Sequence, residues 1–268
     1  MLTFESKNID INQAINELID GDGAVLIKNV YSKKQIDTSR DIINQISEKK
    51  DKRKLEQRVW NLFSKGKVFS DLISNDIIFN LMTKFLGKEF TCGSYAASIL
   101  LPGASGQIPH IDYPFSDYYN KETFPMRSNS LYPQNCQVTI PLEVFSKESG
   151  ATGYYPGTQK NLHFPTKEDD FTNLKQMVSN PGDLVFFYGM VWHCAMPNKT
   201  NHKRTGLLIE LLPKYVKPLE DFFAHLDKDF INKSSDRVKQ LLGLKYSYPV
   251  VGETFKPFSS NKKLKTYK

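Results

Sequence analysis

The sequence predicts a mainly β protein, a barrel or a sandwich, with flanking helices. Apolar residues recur at helical spacing up to about residue 88. Many short apolar runs separated by Gly and Pro turns then fill residues 89–213, and a helical pattern returns in residues 214–268. Because no internal repeat or low-complexity linker divides these parts, we expect a single domain over residues 1–268.

The part up to residue 88 is expected to hold the first strand and two helices. Asp22–Tyr31 reads DGAVLIKNVY, an apolar run opened by a glycine, which is typical of a buried strand. Ser32 offers an N-cap for a helix that runs to about Lys49, with isoleucines at roughly helical spacing. A second helix is expected over about Leu72–Leu86 and ends at Gly87.

The segment between these two helices, Val59–Asp71, is interpreted as a connection rich in aromatic residues. It carries Trp60, Phe63 and Phe69. Large aromatic side chains contribute strongly to protein cores, so core packing is the expected role of all three. Lining the mouth of a substrate pocket is the alternative role for them.

Strand-like runs follow at short intervals in residues 89–213. Four of them cover Phe90–Leu101, Asn135–Phe145, Val191–Ala195 and Thr205–Leu212. Met177–Tyr188 resembles a hairpin with Asn180-Pro181-Gly182-Asp183 as its turn. Ser116–Gln134 forms a long loop, and such loops are often functional. A helical portion over about Leu219–Leu242 precedes a basic tail.

The stretch that organises the chain runs from Gly106 to Phe115 and reads GQIPHIDYPF. In an extended strand, residues i and i+2 share one face, so His110 and Asp112 would point the same way, about 7 Å apart. An imidazole nitrogen and a carboxylate oxygen are two-thirds of the 2-His-1-carboxylate set expected for non-haem Fe(II). The third ligand has to come from elsewhere in the chain.

His193 is the best candidate for that third ligand among the five histidines. It lies between two predicted strands, in VWHCAMPN, where the rim of a barrel would be. His202 lies in a polar turn and His225 in a predicted surface helix, so both are expected to be solvated. His163 follows a turn and faces an undetermined side.

Arg204 follows His193 by eleven residues, at the entry to the next strand. A strand–turn–strand unit would bring both side chains into one cavity. The guanidinium fork matches a carboxylate in bidentate fashion and keeps its charge when buried. A metal and a fixed cation together suit a dicarboxylate that chelates the metal at one end and pairs with arginine at the other. Gly206, on the same face, would leave space beside Arg204.

These motifs resemble the phytanoyl-CoA dioxygenase-like (PhyH) family of Fe(II)/2-oxoglutarate oxygenases. The shared features are the HxD pair at His110 and Asp112, the Pro156-Gly157-Thr158 turn, the run Pro181-Gly182-Asp183-Leu184-Val185-Phe186-Phe187, His193 with Pro197-Asn198, and Arg204. The opening Asp22-Gly23-Ala24-Val25-Leu26 also resembles the first strand of the family. The resemblance covers about residues 20–212.

The resemblance implies a double-stranded β-helix core, of the jelly-roll or cupin-like type, over residues 89–213. It further implies Fe(II) held by His110, Asp112 and His193, with 2-oxoglutarate held by Arg204 and O2 as the second co-substrate. Gln137, on the strand after the long loop, is a further candidate for binding 2-oxoglutarate.

Two positions depart from the family pattern. The PGSH turn of the family is PGTQ here, so Gln159 replaces a histidine near the site. Some members carry a hydroxyl side chain two residues after the distal histidine that helps to hold 2-oxoglutarate, and Ala195 occupies that place here. Both differences concern the surroundings of the predicted ligands and leave the ligands themselves in place.

The resemblance predicts a 2-oxoglutarate-dependent dioxygenase that hydroxylates an unactivated C–H bond of a small molecule and releases succinate and CO2. Asp112 favours oxidation, because related halogenases lack this carboxylate. Desaturation and cyclisation use the same machinery and stay open, as does the identity of the substrate. The alternatives are a non-catalytic β-helix protein that binds a small molecule and an oxygenase that acts on a macromolecule.

Composition limits the partners and the location. The net charge of +7 is concentrated in residues 49–58 and 256–268, which lack the interleaved aromatics of a nucleic-acid groove, so nucleic acid is not an expected partner. No window approaches the roughly 18 apolar residues needed to span a bilayer. The polar, acidic start predicts no secretory signal, and three cysteines without a CxxC favour a reducing cytoplasm. Oligomeric state stays open.

Overall fold

The computed structural model of the protein describes residues 1–112, 133–161 and 164–245. Residues 116–132 of the predicted loop Ser116–Gln134 lie outside the described residues, as do His163 and the basic cluster at 256–268. Within the described part no helix combines the length and the apolar character needed to cross a bilayer.

Two β-sheets dominate the described residues. The strands are β1 Leu2–Glu5, β2 Ala24–Lys28, β3 Glu56–Val59, β4 Thr91–Leu100, β5 Cys136–Pro141, β6 Gly153–Tyr154, β7 Lys175–Gln176, β8 Leu184–Tyr188, β9 His193–Cys194 and β10 Arg204–Leu212. The larger sheet has seven strands in the order β1-β2-β8-β5-β10-β4-β3, and the smaller has three in the order β7-β6-β9. Strands β1 and β2 pair in parallel, and the other pairs are antiparallel. The predicted mainly β fold is confirmed.

The α-helices of the described residues fall into two groups, one before residue 91 and one after residue 212. Their bounds are α1 Ile11–Ile19, α2 Lys33–Ser47, α3 Lys67–Ile73, α4 Asp76–Phe85, α5 Lys228–Lys233 and α6 Asp236–Leu241. Helix α2 begins as predicted: the Ser32 side chain accepts from the backbone N–H of Gln35, and the Gln35 side chain accepts from the backbone N–H of Ser32. This reciprocal capping box satisfies two backbone donors at the helix start.

Aromatic side chains of residues 62–73 pack on strand β4 of the large sheet. Tyr95 of β4 contacts Phe63 and Phe69 in edge-to-face geometry, with ring centroids 5.4 and 6.3 Å apart. Its hydroxyl donates to the backbone carbonyl oxygen of Phe69 at 3.0 Å.

The core is one contiguous cluster that includes residues from the N-terminal helices, the strands and helix α6. This continuity supports the proposal of a single domain.

Residues 59–71 are not the simple connection that the sequence predicted. The segment contains the end of β3, a 3-10 helix over Leu62–Lys65 and the start of α3. Phe63 and Phe69 are buried as predicted, but Trp60 is 49% exposed, so its predicted core role is wrong. The predicted helix over Leu72–Leu86 is broken, because Asn75 caps a new helix by accepting from the backbone N–H of Ile77 at 2.8 Å.

The predicted hairpin over Met177–Tyr188 is also wrong. Strand β8 pairs with β2 and β5 in the large sheet, whereas β7 pairs with β6 in the small sheet. The predicted turn is present, since the Asp183 backbone N–H donates to the Asn180 carbonyl oxygen at 3.0 Å. The turn therefore carries the chain from one sheet to the other instead of folding it back within a sheet.

The predicted C-terminal helix over Leu219–Leu242 is three short helices. A 3-10 helix over Phe222–His225 is followed by α5 and α6. Asp227 and Ser235 cap these two helices by accepting from the backbone N–H groups of Phe230 and Val238. Each cap favours a helix start, so the helical pattern divides at these residues.

Candidate active site

A pair of backbone hydrogen bonds brings two of the predicted ligands together. The backbone N–H of His110 donates to the carbonyl oxygen of His193, and that of His193 donates to the carbonyl oxygen of His110, each at 2.9 Å. His110 thus forms a single bridge to β9. The sequence predicted a continuous strand at His110, and that prediction is wrong. One bridge is enough to fix the two residues opposite each other.

The side chains of His110, Asp112 and His193 converge as the sequence predicted. One ligand atom from each residue lies within 4.8 Å of the others. The His193 Nε2 atom lies 3.2 Å from Asp112 Oδ2, and the His110 Nε2 atom lies 3.7 Å from Asp112 Oδ1. The two imidazole rings have centroids 4.5 Å apart.

Backbone carbonyl groups set the orientation of both imidazoles. His110 Nδ1 lies 2.8 Å from the carbonyl oxygen of Ile108, and His193 Nδ1 lies 2.8 Å from that of Val191. A carbonyl oxygen can only accept, so each Nδ1 carries a proton and each Nε2 is the ring nitrogen left to bind a metal. Metal-ligating histidines are held in this manner, with one ring nitrogen donating to the surrounding protein.

Electrostatics favour an ionised Asp112. Burial raises the pKa of this carboxyl, but the neighbouring His193, His110 and Arg58 outweigh burial and hold the pKa below its ordinary value. The backbone N–H of Asp112 donates to the carbonyl oxygen of Gly189 at 3.0 Å, which anchors the residue next to β8. Burial lowers the pKa of His193, but the charge of Asp112 and its hydrogen bond outweigh burial and raise that pKa. Once Nε2 is deprotonated in both histidines, two imidazole nitrogens and a carboxylate oxygen form a donor set that suits non-haem Fe(II).

Arg204 lies in the same cavity as the three candidate ligands, as predicted. Its side chain is buried, with the residue only 3% exposed, and one terminal nitrogen donates to the carbonyl oxygen of Gly150 at 2.6 Å. Its Nε atom has no hydrogen-bond partner, and no carboxylate among the described residues forms an ion pair with it. Burial lowers the pKa of Arg204 to about 9, which still leaves the guanidinium charged at neutral pH.

The space that Gly206 leaves beside Arg204 is occupied by an aromatic ring. A Cβ atom at Gly206 would lie 2.5 Å from the Cζ atom of Phe145. The Phe145 ring stacks on the guanidinium, whose carbon lies 4.2 Å from the ring centroid. This cation–π contact holds the fork in place without supplying a negative charge.

Arg58 is a second cation in the cavity, and sequence reasoning missed it. The residue belongs to the basic cluster at 49–58, which was interpreted as a whole. Residues 51–56 are exposed, but strand β3 pairs Arg58 with Ser98 of β4 and places its side chain in the cavity, where it donates to the Ser98 hydroxyl. Burial lowers the pKa of Arg58, and the charges of Glu56 and Asp112 oppose this shift.

The rest of the cavity combines amide, hydroxyl and apolar side chains around a volume of about 150 Å³. Its wall includes Gln137, the further candidate for binding 2-oxoglutarate, together with Gln107, Thr139, Thr152, Phe187, Ala195 and Leu208. Gln159, expected near the site, is instead fully buried and donates to the carbonyl oxygens of Ile19 and Gly21 at 3.0 and 3.1 Å. His202 and His225 are exposed, as predicted.

The fold and the cavity define a double-stranded β-helix protein of the cupin-like type with a cluster suited to a metal ion. The chain belongs to the Phytanoyl-CoA dioxygenase (PhyH) family, whose sequence profile matches residues 19–206. The predicted family resemblance is thereby confirmed.

Curated relatives carry dioxygenase names. The chain is 26% identical over 202 residues to Dioxygenase af480 of Aspergillus fumigatus, which covers 73% of this chain and 62% of the relative. It is 26% identical over 208 residues to Dioxygenase FrzG of Cladobotryum sp, which covers 73% of this chain and 66% of the relative. The chain thus matches less than two thirds of the length of either relative.

Solved structures share the fold. HygX from Streptomyces hygroscopicus, with nickel and 2-oxoglutarate bound, superposes with a TM-score of 0.61 at 14% identity, covering 80% of this chain and 90% of HygX. The epimerase SnoN, in complex with Fe3+, alpha ketoglutarate and nogalamycin RO, gives a TM-score of 0.58 at 12% identity, covering 81% of this chain and 90% of SnoN. The predicted double-stranded β-helix fold is confirmed by these likenesses.

Proposed function

We propose that this protein is an Fe(II)/2-oxoglutarate-dependent oxygenase that hydroxylates an unactivated C–H bond of a small molecule. The observation that carries the proposal is the convergence of His110, Asp112 and His193 in one cavity with Arg204, which forms no ion pair with any described residue. When bound, Fe(II) would supply the O2 chemistry that converts 2-oxoglutarate to succinate and CO2 and oxidises the substrate.

In this proposal His110, Asp112 and His193 hold the iron. The orientation of both Nε2 atoms is fixed by the hydrogen bonds from Nδ1 to backbone carbonyls, so the rings need little reorganisation on binding. Asp112 contributes the negative charge, and a divalent cation would relieve its desolvation in the cavity. The complete ligand set favours an oxygenase over a non-catalytic binding protein, which places no such demand on three residues.

Arg204 is proposed to bind the distal carboxylate of 2-oxoglutarate. A buried guanidinium is costly without an ionic partner, and none of the described carboxylates pairs with this one. A bidentate carboxylate would satisfy its Nε donor, which has no partner, and neutralise its charge. Arg58, in the same cavity, adds a second positive charge that favours a dianionic ligand. Gln137 is proposed as a further polar contact, because its side chain lies on the cavity wall.

The relatives support both the cofactor and the size of the substrate. HygX has been solved with nickel, 2-oxoglutarate and hygromycin B, and SnoN with Fe3+, alpha ketoglutarate and nogalamycin RO. Each of these complexes contains a 2-oxo acid and a small molecule, so we propose a small-molecule substrate for this protein too. The three free, buried cysteines support a reducing, cytoplasmic location.

The proposal is tested by binding and by turnover. Calorimetric titration under anaerobic conditions should show 2-oxoglutarate binding that requires Fe(II) and is lost in His193→Ala and Arg204→Ala. Oxygen consumption and succinate release across a panel of small molecules should follow the same pattern, while His202→Ala, an exposed histidine, behaves as the parent. Parental 2-oxoglutarate binding in both site variants would refute the assignment.

A further inference from the structure

Trp60 exposes an indole ring at the edge of the large sheet. The residue is 49% exposed, although tryptophan side chains are highly buried on average. It directly follows β3, the last strand of the large sheet on that side, so no further strand of the described residues lies beyond it. Of the two roles that the sequence offered for this residue, its exposure excludes core packing and leaves the mouth of a substrate pocket.

The alternation of β3 places Trp60 on the inner face of the barrel. Arg58, two residues earlier, lines the cavity, and side chains at i and i+2 of an extended strand share a face. Burial alternates in the same way up to residue 60, because Gln57 and Val59 are buried whereas Arg58 and Trp60 are not. The indole therefore continues the inner row to which Arg58 belongs.

One strand with small inner side chains separates Trp60 from the cavity wall. Ser98 of β4 pairs with Arg58, so Ser98 and Ala96 also belong to the inner face. The register of β3 brings Trp60 next to Ala96, and on the other side Ala96 pairs with Leu208, which lines the cavity. Since neighbouring strands are ~4.8 Å apart, the backbones of Trp60 and Leu208 are about 10 Å apart. A ligand that fills the cavity can reach the indole across β4.

Hydrogen bonds fix the backbone that carries the indole. The backbone N–H of Asn61 donates to Glu220 Oε2 at 2.7 Å, and its side-chain amide donates to the carbonyl oxygen of Phe222 at 3.2 Å. Glu220 Oε1 also accepts the backbone N–H of Tyr95 at 2.6 Å, which ties this point to β4. A side chain on an anchored backbone loses less conformational freedom when a ligand packs against it.

The size of the cavity requires that a substrate extends beyond it. The described residues enclose about 150 Å³, whereas pockets for drug-sized ligands measure about 300–1,000 Å³. The co-substrate proposed for Arg204 would occupy part of this volume. A substrate that reaches the metal ligands therefore projects out of the cavity, and the edge at β3 offers an exposed aromatic surface to the projecting part.

We propose that Trp60 stacks on an uncharged, planar aromatic ring of the substrate, while the carbon to be oxidised lies at the metal ligands. An indole offers a wide π surface on which a second ring packs in an offset arrangement. A cation would also be attracted to this surface, but the positive charge of Arg58, two residues away, repels it. This proposal rests on the proposed oxygenase function, because it concerns the substrate of that reaction.

The test measures ligand affinity in the protein loaded with Fe(II) and 2-oxoglutarate, without O2. Calorimetry compares the Kd of 2-naphthylmethanol with that of its fully saturated analogue, decahydro-2-naphthylmethanol. In the parent protein we expect the aromatic alcohol to bind at least about fivefold more tightly. The readout is the ratio of the two Kd values, because a general loss of structure would weaken both ligands alike.

Trp60→Ala should raise the Kd of the aromatic alcohol about tenfold and abolish the preference, whereas Trp60→Phe, which keeps an aromatic ring, should retain it. Trp60→Gln, with a polar side chain suited to an exposed position, should behave as Trp60→Ala and decides the matter if that variant does not fold. Leu244→Ala, at an exposed apolar residue of the C-terminal part, is the control. All of these variants should bind 2-oxoglutarate with the parental Kd.

The outcomes separate the two proposals. If the parent binds 2-oxoglutarate but shows no preference for the aromatic alcohol, or if removal of the indole keeps the preference, the stacking site is refuted and the oxygenase proposal stands. Tighter binding of the 2-naphthylmethylammonium ion than of the alcohol would refute the assignment to an uncharged ring. If 2-oxoglutarate does not bind, the oxygenase proposal fails, whatever the stacking result.

Discussion

His110 and His193 are joined through their backbones, since each donates its N–H to the carbonyl oxygen of the other at 2.9 Å. Their side chains then lie on one side of this pair, with Nε2 atoms directed at Asp112. The segment before residue 113 and strand β9 thus act as one unit. The position of one imidazole is tied to that of the other before any metal binds.

His193→Ala should abolish specific metal binding. The substitution removes one of three donors while the backbone bridge to His110 can persist, so the fold should be retained. We expect the affinity for Fe(II) or Mn(II) to fall by about 100-fold or more. Calorimetric titration with Mn(II) measures the loss, and His202→Ala is the control because that histidine is exposed. Equal affinities in both variants would contradict the ligand assignment.

Arg204→Ala should weaken 2-oxoglutarate binding about 100-fold, or by about 2.7 kcal/mol, because a desolvated ion pair is lost. Arg204→Lys keeps the charge but lacks the bidentate fork, so a smaller loss of about tenfold is expected. The measurement is the Kd of 2-oxoglutarate in the presence of Mn(II). Arg53→Ala is the matched control, since that side chain is 90% exposed. A Kd that Arg204→Ala leaves unchanged would place the co-substrate elsewhere.

Arg58→Gln tests whether the second cation of the cavity serves the same ligand. Burial lowers the pKa of Arg204 most, and the positive charge of Arg58 lowers it further, so the two arginines repel each other. An anion bound between them would reduce this repulsion. We expect the Kd of 2-oxoglutarate to rise about tenfold, with a steeper loss at low ionic strength. Lys54→Gln, from the exposed part of the same basic cluster, should have no effect. Equal effects of the two substitutions would mean that Arg58 acts only through the net charge of the protein and does not contact the ligand.

Glu210→Gln should change how stability depends on pH. Burial raises the pKa of Glu210 from 4.5 to about 8, so the folded protein holds this proton where the unfolded chain releases it. The parent therefore loses stability as pH rises from about 4.5 to about 8, by up to about 1.4 kcal/mol per pH unit from this group, and the loss then levels off.

The variant lacks this group, so its free energy of unfolding should rise relative to that of the parent between pH 5.5 and pH 8. Urea titrations with a chelator present, which removes the contribution of metal binding, measure the difference at both pH values. Glu168→Gln is exposed and should follow the parent at both. A constant difference between Glu210→Gln and the parent would mean that the carboxyl is not perturbed in this way.

Gly206→Ala should disturb the packing of Phe145 on Arg204. The added methyl group would lie 2.5 Å from the ring, so the ring has to move, at a cost of about 1–3 kcal/mol in unfolding free energy. Phe145→Leu frees space at the same place. The double variant should lose less unfolding free energy than the two single variants lose together. Denaturant unfolding of the parent, both single variants and the double variant measures this coupling. Strict additivity would mean that Phe145 does not respond to residue 206.

The parts of the fold that were predicted correctly have local causes. Strand β2 is a continuous apolar run and helix α2 has a complete capping box, so few neighbouring residues determine each. The predicted hairpin failed because its turn was correct and its pairing was not. Strand β8 pairs with β2, which lies far away in the sequence, and no local pattern specifies such a partner.

The candidate site shows the same division between local and distant causes. Sequence spacing was enough to predict His110, Asp112, His193 and Arg204, because each lies in a short motif. Arg58 was hidden among exposed charges of the same sign; only the buried residues on either side of it distinguish it.

The position of Phe145 has a consequence for how the protein can vary. Its ring contacts the guanidinium of Arg204 and lies against the backbone at Gly206. One side chain therefore connects the packing of β10 with the orientation of the buried cation. A substitution at Phe145 would change the unfolding free energy and the affinity for an anionic ligand together, so these two properties could not vary independently at this position.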